Sequence, residues 1–255
     1  MNLFLNGILA ENYHSNSQKA RVLTEGWVDA NLYCPVCGNQ NIRRFPNNNI
    51  VADFYCPSCH EQYELKSKNG KLGHTIADGA YDTFVQRITD STSPDFLFMS
   101  YSTKDMQVHH LSFVPKFFFV PDIVQKRKPL GENARRHGWT GCNILYDQIP
   151  PQGRIAIVEN SRIVEKAIVE EKVRRAFRMR IENIESRGWA FDVLHCVNSI
   201  TSADFTLSQI YQFEPLLEEK HPNNRNIRPK IRQQLQVLRD QGIIEFLGNG
   251  HYKRV

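Results

Sequence analysis

The chain contains 255 residues, 41% of them hydrophobic and 23% charged, with a formal net charge of +5 at pH 7. This length and composition predict a globular protein with one large or two smaller domains. The first residues lack a basic n-region and reach Glu11 too early for a signal peptide, and no apolar run approaches the roughly 20 residues needed to span a bilayer. We therefore expect a cytoplasmic protein that has no membrane partner and is a monomer in solution.

The first 180 residues alternate segments with helical and strand periodicity. The spacing of apolar residues predicts strands at 50–55, 61–66 and 95–102 and helices at 15–30 and 75–90. A strand-rich segment (107–120), a segment rich in Pro, Gly and basic residues (121–139) and a charged helical connector (164–184) follow. This order predicts an α/β or α+β core, which we expect to end at residue 183.

The last seventy residues have the pattern of a winged helix-turn-helix domain, 184–255. Apolar residues at helical spacing predict helices at 189–200 and 226–242, and a capping box of Thr206 and Gln209 opens a helix between them. Two strands about a Gly-Asn-Gly turn form the wing. In such a domain the third helix enters the major groove, where Arg and Gln side chains can contact base edges. A three-helix bundle that binds other proteins is the alternative.

Basic side chains form two clusters. One lies in the segment 121–139 and is interleaved with Trp139, and the other lies between His221 and Arg239, where no acidic residue occurs. A single basic cluster is usually a solvated face, but two of them, one on a predicted helix, favour a nucleic-acid partner. The residues that we expect to contact double-stranded DNA are Arg135, Arg136, Trp139, Arg225, Arg228, Lys230, Arg232 and Gln233.

Four of the six cysteines form two Cys-x-x-Cys pairs, which are Cys34 with Cys37 and Cys56 with Cys59. In a reducing compartment such pairs favour metal binding over disulfides, and their separation is that of a four-cysteine zinc ribbon. Because four thiolates fill a tetrahedral coordination sphere, we expect a structural zinc ion that holds residues 34–59 in place.

Asp53 precedes the second cysteine pair, and Glu64 and Lys66 follow it. If the two predicted strands form an antiparallel hairpin that pairs Tyr55 with Gln62, Asp53 lies directly opposite Glu64. Side-chain alternation then places Lys66 on the same face as Glu64. Zinc at the tip of this hairpin would fix its register.

Two carboxylates and an ammonium group that converge in this way suit a metal-dependent phosphodiesterase. The carboxylates of Asp53 and Glu64 would hold Mg²⁺, and Lys66 would steer and polarise the attacking water. We also expect the backbone carbonyl of Leu65 to be a ligand of the magnesium. The motif is weak alone, but its coincidence with the zinc hairpin and a DNA-reading domain strengthens it.

Five segments carry a resemblance to a known family: SNSQKARVLTE, VADFYC, ELKSK, ARRHGWTGCN and KIRQQLQVLRDQGIIEF. With the cysteine pattern, they make the chain similar over essentially its whole length to the DpnI family of methyl-directed (type IIM) restriction endonucleases. The resemblance implies a PD-(D/E)xK endonuclease domain (1–183) with an inserted zinc ribbon, joined to a winged helix. It also implies cleavage of both strands of 5′-GATC-3′ when the adenine carries an N6-methyl group, with both domains reading the methylated site.

The family's functional residues carry over to particular positions of this chain. Asp53, Glu64 and Lys66 match the nuclease motif, the two cysteine pairs match the zinc ligands, and Trp139 matches the aromatic residue after an Ala-Arg-Arg run. Ala52 stands where the motif has proline, which contributes backbone shape rather than chemistry. Because burying a methyl-sized group contributes only about 0.8 kcal/mol, reading the site in two domains would multiply a small preference.

Three further alternatives stay open at this level. Trp139, our candidate for the methyl reader of the nuclease domain, could instead be a core tryptophan. The protein could be a zinc-ribbon and winged-helix regulator that binds DNA without cutting it, although such a protein has no need of Glu64 and Lys66 opposite Asp53. It could also be a PD-(D/E)xK nuclease with another target.

Overall fold

The structure, a computed structural model, describes residues 1–46, 52–90 and 93–255. The chain divides into two compact units, Met1–Phe177 and Arg178–Val255. Within the described ranges, no helix is both long enough and apolar enough to cross a membrane. Ile50 and Val51, which begin one of the predicted strands, lie outside the described residues.

The first unit mixes strands and helices. Its strands are β1 (Arg43–Arg44), β2 (Phe54–Tyr55), β3 (Gln62–Asn69), β4 (Thr75–Ala80), β5 (Asp95–Ser102), β6 (Gln107–Val114), β7 (Val124–Lys126), β8 (Gly141–Leu145), β9 (Ile155–Glu159) and β10 (Arg162–Ile163). Its helices are α1 (Asn16–Asn31), α2 (Tyr81–Thr89) and α3 (Lys166–Arg178). The predicted connector helix over 164–184 therefore stops at Arg178.

A seven-stranded mixed sheet in the order β1-β2-β3-β5-β6-β9-β10 forms the centre of this unit. Strands β3 and β5 run parallel, and the other neighbouring pairs run antiparallel. Strand β5 is buried at all but its last position, as expected of a continuous apolar run covered on both faces. The centroid of its Phe96 ring lies 4.3 Å from the centroid of the Phe119 ring. Helix α1 lies against β3, where Thr24 Oγ1 donates a hydrogen bond to Ser67 Oγ at 3.3 Å.

A separate three-stranded antiparallel sheet contains β4, β8 and β7, with β8 in the middle. The prediction of one helix over 75–90 is wrong for residues 75–80, which form β4 before α2 begins at Tyr81. Pairing with β8 overrides the helical pattern, and Gly79 is a poor helix-interior residue. The pairing contains a bulge between Asp78 and Ala80, a feature that redirects a strand and its side chains.

The second unit has the architecture expected of a winged helix-turn-helix domain. Its elements are α4 (Ile184–Ser199), β11 (Asp204–Thr206), α5 (Leu207–Tyr211), α6 (Glu214–Lys220), α7 (Ile227–Asp240), β12 (Ile244–Gly248) and β13 (His251–Arg254). The capping box is confirmed: the Thr206 side chain accepts from the Gln209 N–H, and the Gln209 side chain accepts from the Thr206 N–H.

Two details of this unit differ from the expectation. The middle helix is broken into α5 and α6, and Pro215 in the first turn of α6 suits the start of a new helix. Strand β11, which the sequence analysis did not include, joins the wing in a sheet of order β11-β13-β12. The fold class is nonetheless confirmed, since a mixed α/β core is followed by a helical domain with a wing.

Candidate active site and nucleic-acid-binding surfaces

The two Cys-x-x-Cys pairs meet in space. The four Sγ atoms lie within 4.8 Å of one another. The Sγ atoms of Cys34 and Cys59 are 3.6 Å apart, and those of Cys37 and Cys56 are 3.5 Å apart. Ligands at about 2.3 Å around a tetrahedral zinc would be separated by about 3.8 Å, so the thiols already lie close to the spacing that zinc requires.

Each cysteine pair folds into a tight turn whose backbone faces a sulfur atom. The Cys37 N–H donates to Cys34 Sγ and the Ser58 N–H donates to Cys56 Sγ, both at 3.4 Å. The residue after each pair, Gly38 or His60, has a positive φ of 75° or 62° and donates its amide to the carbonyl of the first cysteine. The two halves of the cluster thus share one local geometry.

The hairpin of β2 and β3 has the predicted register. Tyr55 pairs with Gln62 and Phe54 with Tyr63. The second cysteine pair lies in the turn between these strands, and the Tyr63 hydroxyl lies 2.9 Å from the Sγ of Cys34. The cysteine cluster therefore contacts both the tip of the hairpin and one of its strands.

Asp53 precedes β2 and turns toward the backbone of β3. Its N–H donates to the Tyr63 carbonyl at 3.0 Å, and its Oδ2 accepts from the Leu65 N–H at 2.7 Å. This places the carboxylate at the backbone between Glu64 and Lys66, whereas the ladder itself begins at Phe54, so the predicted pairing of Asp53 with Glu64 is not part of it. The role of the Leu65 carbonyl as a metal ligand stays a prediction.

Glu64 and Lys66 lie at the centre of a small ionic network. Lys66 Nζ is 2.5 Å from Glu64 Oε1 and 2.7 Å from Asp78 Oδ1, and Arg87 Nη1 is 2.6 Å from Glu64 Oε2. The side chains of these residues are between 9% and 24% exposed, so their charges interact in a partly dehydrated environment. The structure thus brings Glu64 and Lys66 together with two further charged residues from β4 and α2.

Burial and charge shift the pKa values of this site. Burial alone would lower the pKa of Lys66, but the neighbouring charges of Glu64 and Asp78 outweigh it and raise the pKa above its usual value. Burial raises the pKa of Asp53, with a further contribution from Glu64, while the Leu65 N–H opposes the rise. Burial likewise raises the pKa of Glu25 on α1, whose ion pair with Arg44 opposes it. Lys66 is therefore protonated and lies next to the carboxylates of Glu64 and Asp78.

The first predicted DNA-binding cluster lies on the long connection between β7 and β8. Hydrogen bonds from the Leu130 N–H to the Trp139 carbonyl and from the Gly138 N–H to the Leu130 carbonyl close its tip. The Arg136 guanidinium lies over the Trp139 ring, 4.8 Å from its centroid. Trp139 is half-buried, which disfavours the alternative of a core tryptophan, and Arg135 is exposed.

This connection begins and ends in the sheet that carries Asp78. Strand β8 pairs with β4, and the Tyr81 N–H, at the start of α2, donates to the Thr140 carbonyl. Lys126 Nζ lies 4.9 Å from the centroid of the Tyr81 ring. The basic and aromatic tip is thus attached, through one small sheet, to the elements that supply Asp78 and Arg87 to the ionic network.

The second cluster lies on and before α7. Arg225, Arg228, Arg232 and Gln233 are exposed, as predicted. Lys230 is not: it is half-buried, and its Nζ lies 5.8 Å from the centroid of the Trp189 ring of α4, because its position turns toward that helix. The apolar stripe of the helix predicted over 226–242 places Lys230 on the outward face with Arg228, Arg232 and Gln233, and for Lys230 this prediction is wrong.

Two arginines of α7 are held by neighbouring helices. Arg228 donates to Glu214 at 2.8 Å, and its guanidinium lies 5.0 Å from the centroid of the Tyr211 ring. Arg232 donates to the Tyr211 hydroxyl at 2.8 Å. Tyr211, the last residue of α5, thus contacts both arginines.

Three residues that contact the predicted site residues were missed by the sequence analysis. Asp78 was hidden in a segment predicted as helix, although Gly79 in its middle argued against a helix. Arg87 was counted only as part of that helix. The contacts of Tyr211 with the two arginines had no signal in the sequence.

Two protein-family models match successive parts of the chain. A model described as DpnI, Dam-replacing family, matches residues 1–182, and a model described as DpnI_C, Dam-replacing HTH domain, matches residues 185–254.

Proposed function

This chain belongs to the Dam-replacing (DpnI) family of methylation-dependent restriction enzymes, and on that premise we propose that it cuts both strands of 5′-GATC-3′ when the adenine is N6-methylated, by Mg²⁺-dependent hydrolysis. Residues 1–183 form the PD-(D/E)xK nuclease domain and residues 184–255 read DNA. The enzyme acts in the cytoplasm as a monomer. The observation that carries the proposal is the meeting of Asp53, Glu64 and Lys66 on one hairpin.

The donor set at this hairpin fits a hard divalent cation. Asp53 and Glu64 would supply carboxylate oxygens and Leu65 its backbone carbonyl, and such oxygens are the ligands that Mg²⁺ prefers. Burial and the charge of Glu64 both raise the pKa of Asp53, so a bound cation would relieve the crowding of negative charge. Magnesium in this position would supply Lewis-acid activation of water and charge neutralisation at the scissile phosphate.

The chain's own side chains then position the reactants. Lys66 stays protonated, and its ammonium orients the attacking water and stabilises charge that develops on the phosphate oxygens. Arg87 fixes one oxygen of Glu64 and so limits its rotation. The four cysteines, whose sulfur atoms have the spacing for zinc, would hold a structural zinc ion that keeps the hairpin in register and takes no part in the reaction.

DNA recognition divides between the two domains. Arg135 and Arg136 contact phosphates near the nuclease site, and Trp139 presents its exposed surface to the adenine methyl group. In the winged helix, α7 enters the major groove with Arg232 and Gln233 near base edges, while Arg225 and Arg228 contact phosphates. Lys230, which lies against Trp189, contributes charge from the side of the helix.

The test is cleavage of one plasmid in adenine-methylated and unmethylated form, with and without Mg²⁺. The proposal predicts double-strand cuts at GATC sites in the methylated plasmid only, and only with Mg²⁺. Cleavage of both plasmids would indicate a nuclease with another target. Binding without cleavage in any divalent metal would indicate the non-catalytic regulator.

A further inference from the structure

Asp78 is the most unusual residue around the hairpin site. Its Oδ1 accepts from Lys66 Nζ at 2.7 Å and from the Gly79 N–H at 2.6 Å. Its side chain is only 9% exposed, and its Oδ2 is buried with no hydrogen-bond partner among the described residues. Both of its hydrogen bonds among the described residues thus go to Oδ1, one from Lys66 and one from the backbone at the bulge.

The position of Asp78 is set by a different sheet from the one that carries Lys66. Lys66 lies on β3 of the seven-stranded sheet, whereas Asp78 lies on β4 of the three-stranded sheet, next to the bulge before Ala80. Bulges of this kind often lie next to active sites, where they redirect a side chain. The contact between Asp78 and Lys66 therefore joins two sheets at the ammonium group.

Two carboxylates, those of Glu64 and Asp78, contact Lys66, and they differ in their other interactions. Glu64 contacts Lys66 at 2.5 Å, but it is also paired with Arg87. In the proposed function, Glu64 also binds the divalent cation. An oxygen that shares its charge with a dication attracts an ammonium group less strongly. The Asp78 anchor has no such competing role.

We propose that Asp78 is a positioning residue, which holds the Lys66 ammonium beside the attacking water when Glu64 is engaged by the divalent cation. It acts through Lys66 and touches neither DNA nor metal. This inference rests on the proposed nuclease function. It explains why the bulged strand β4 carries a largely buried carboxylate at this position.

The test compares Asp78→Asn and Asp78→Glu with the wild-type enzyme and with a control in the same small sheet. Asn143→Ala removes the hydrogen bond from Asn143 Nδ2 to Gln125 Oε1 between β8 and β7 without touching Lys66. We expect Asp78→Asn to lower kcat for methylated duplex by roughly 10- to 100-fold, by analogy with the loss seen when the hydrogen-bond partner of a metal ligand is removed. KM and the Kd for methylated duplex without Mg²⁺ should stay within about twofold, with Asp78→Glu more active than Asp78→Asn.

The possible outcomes distinguish failure of the proposed role of Asp78 from failure of the proposed nuclease function. Wild-type cleavage with an undiminished kcat in Asp78→Asn would overturn the inference and leave the nuclease in place. A fall in kcat matched by an equal loss of DNA affinity would show a structural role only and also overturn it. A wild-type protein that cuts no DNA would refute the proposed function and this inference with it.

Discussion

Tyr211 should pre-organise two arginines of the recognition helix for DNA. Its hydroxyl accepts a hydrogen bond from Arg232 at 2.8 Å, and its ring lies under the Arg228 guanidinium. Tyr211→Phe removes the first contact and keeps the second, whereas Tyr211→Leu removes both. The two variants therefore separate the contribution of the hydroxyl from that of the ring.

The magnitude follows from the cost of immobilising a long side chain. Freeing Arg232 means that DNA binding must fix it again, at about 0.5–1.5 kcal/mol, so Tyr211→Phe should raise the Kd about 2- to 12-fold. An exposed cation–π contact contributes about 0.5–1 kcal/mol, so Tyr211→Leu should raise it by up to a further fivefold. The actual increment should lie below that limit, because Glu214 still holds Arg228 at 2.8 Å.

The assay is a titration of the full chain against methylated GATC duplex without Mg²⁺, at two salt concentrations. Because Tyr211 itself carries no charge, the slope of log Kd against log salt should not change, whereas loss of a phosphate contact would shallow it by about 0.9. Tighter binding by Tyr211→Phe would refute the reasoning, since it would mean that Tyr211 holds Arg232 away from DNA.

Three further predictions concern the metal sites and base reading. Glu64→Ala or Asp53→Ala should abolish cleavage of methylated plasmid while the Kd for methylated duplex stays nearly unchanged; full cutting at ordinary Mg²⁺ would disprove the assignment. Cys56→Ser should lower zinc content, Tm and activity together, because structural-zinc binding energy is folding energy, and protein purified without chelator that contains no zinc would remove the premise. Arg225→Ala should weaken binding to all sequences and reduce the slope of log Kd against log salt by about one unit. Gln233→Ala should instead cost about 1–3 kcal/mol of binding free energy and reduce the preference for sequence or methylation. Equal effects of Gln233→Ala on GATC and unrelated duplexes would count against base reading by Gln233.

The sequence was most informative where spacing alone constrains geometry. Two Cys-x-x-Cys pairs must converge if they share a metal, and Asp53 and Glu64 flank the second pair, three residues before Cys56 and five residues after Cys59. The Tyr55–Gln62 register therefore follows from the turn that the cysteines define. The capping box at Thr206 is local for the same reason, since its two hydrogen bonds join residues three apart.

Prediction failed where a distant partner decides the local structure. Residues 75–80 are a strand only because β8, more than sixty residues away in sequence, pairs with them. That pairing is invisible to periodicity, so Asp78 was placed on a helix and its contact with Lys66 was missed. The orientation of Lys230 has the same origin, since the position of Trp189 on α4 decides which side of α7 it faces.

The cysteine cluster fixes the register of β2 and β3, which the short pairing of these two strands cannot fix alone. Strand β2 has only two residues, so its ladder with β3 is too short to specify one register. A slip of one residue along β3 would turn Glu64 and Lys66 to the opposite face and away from Asp53. The cluster prevents this slip at two points, by closing the turn through Cys56 and Cys59 and by holding the Tyr63 hydroxyl against Cys34. Zinc at this site would therefore fix the relative position of Asp53, Glu64 and Lys66, the side chains of the proposed active site, without binding any of them.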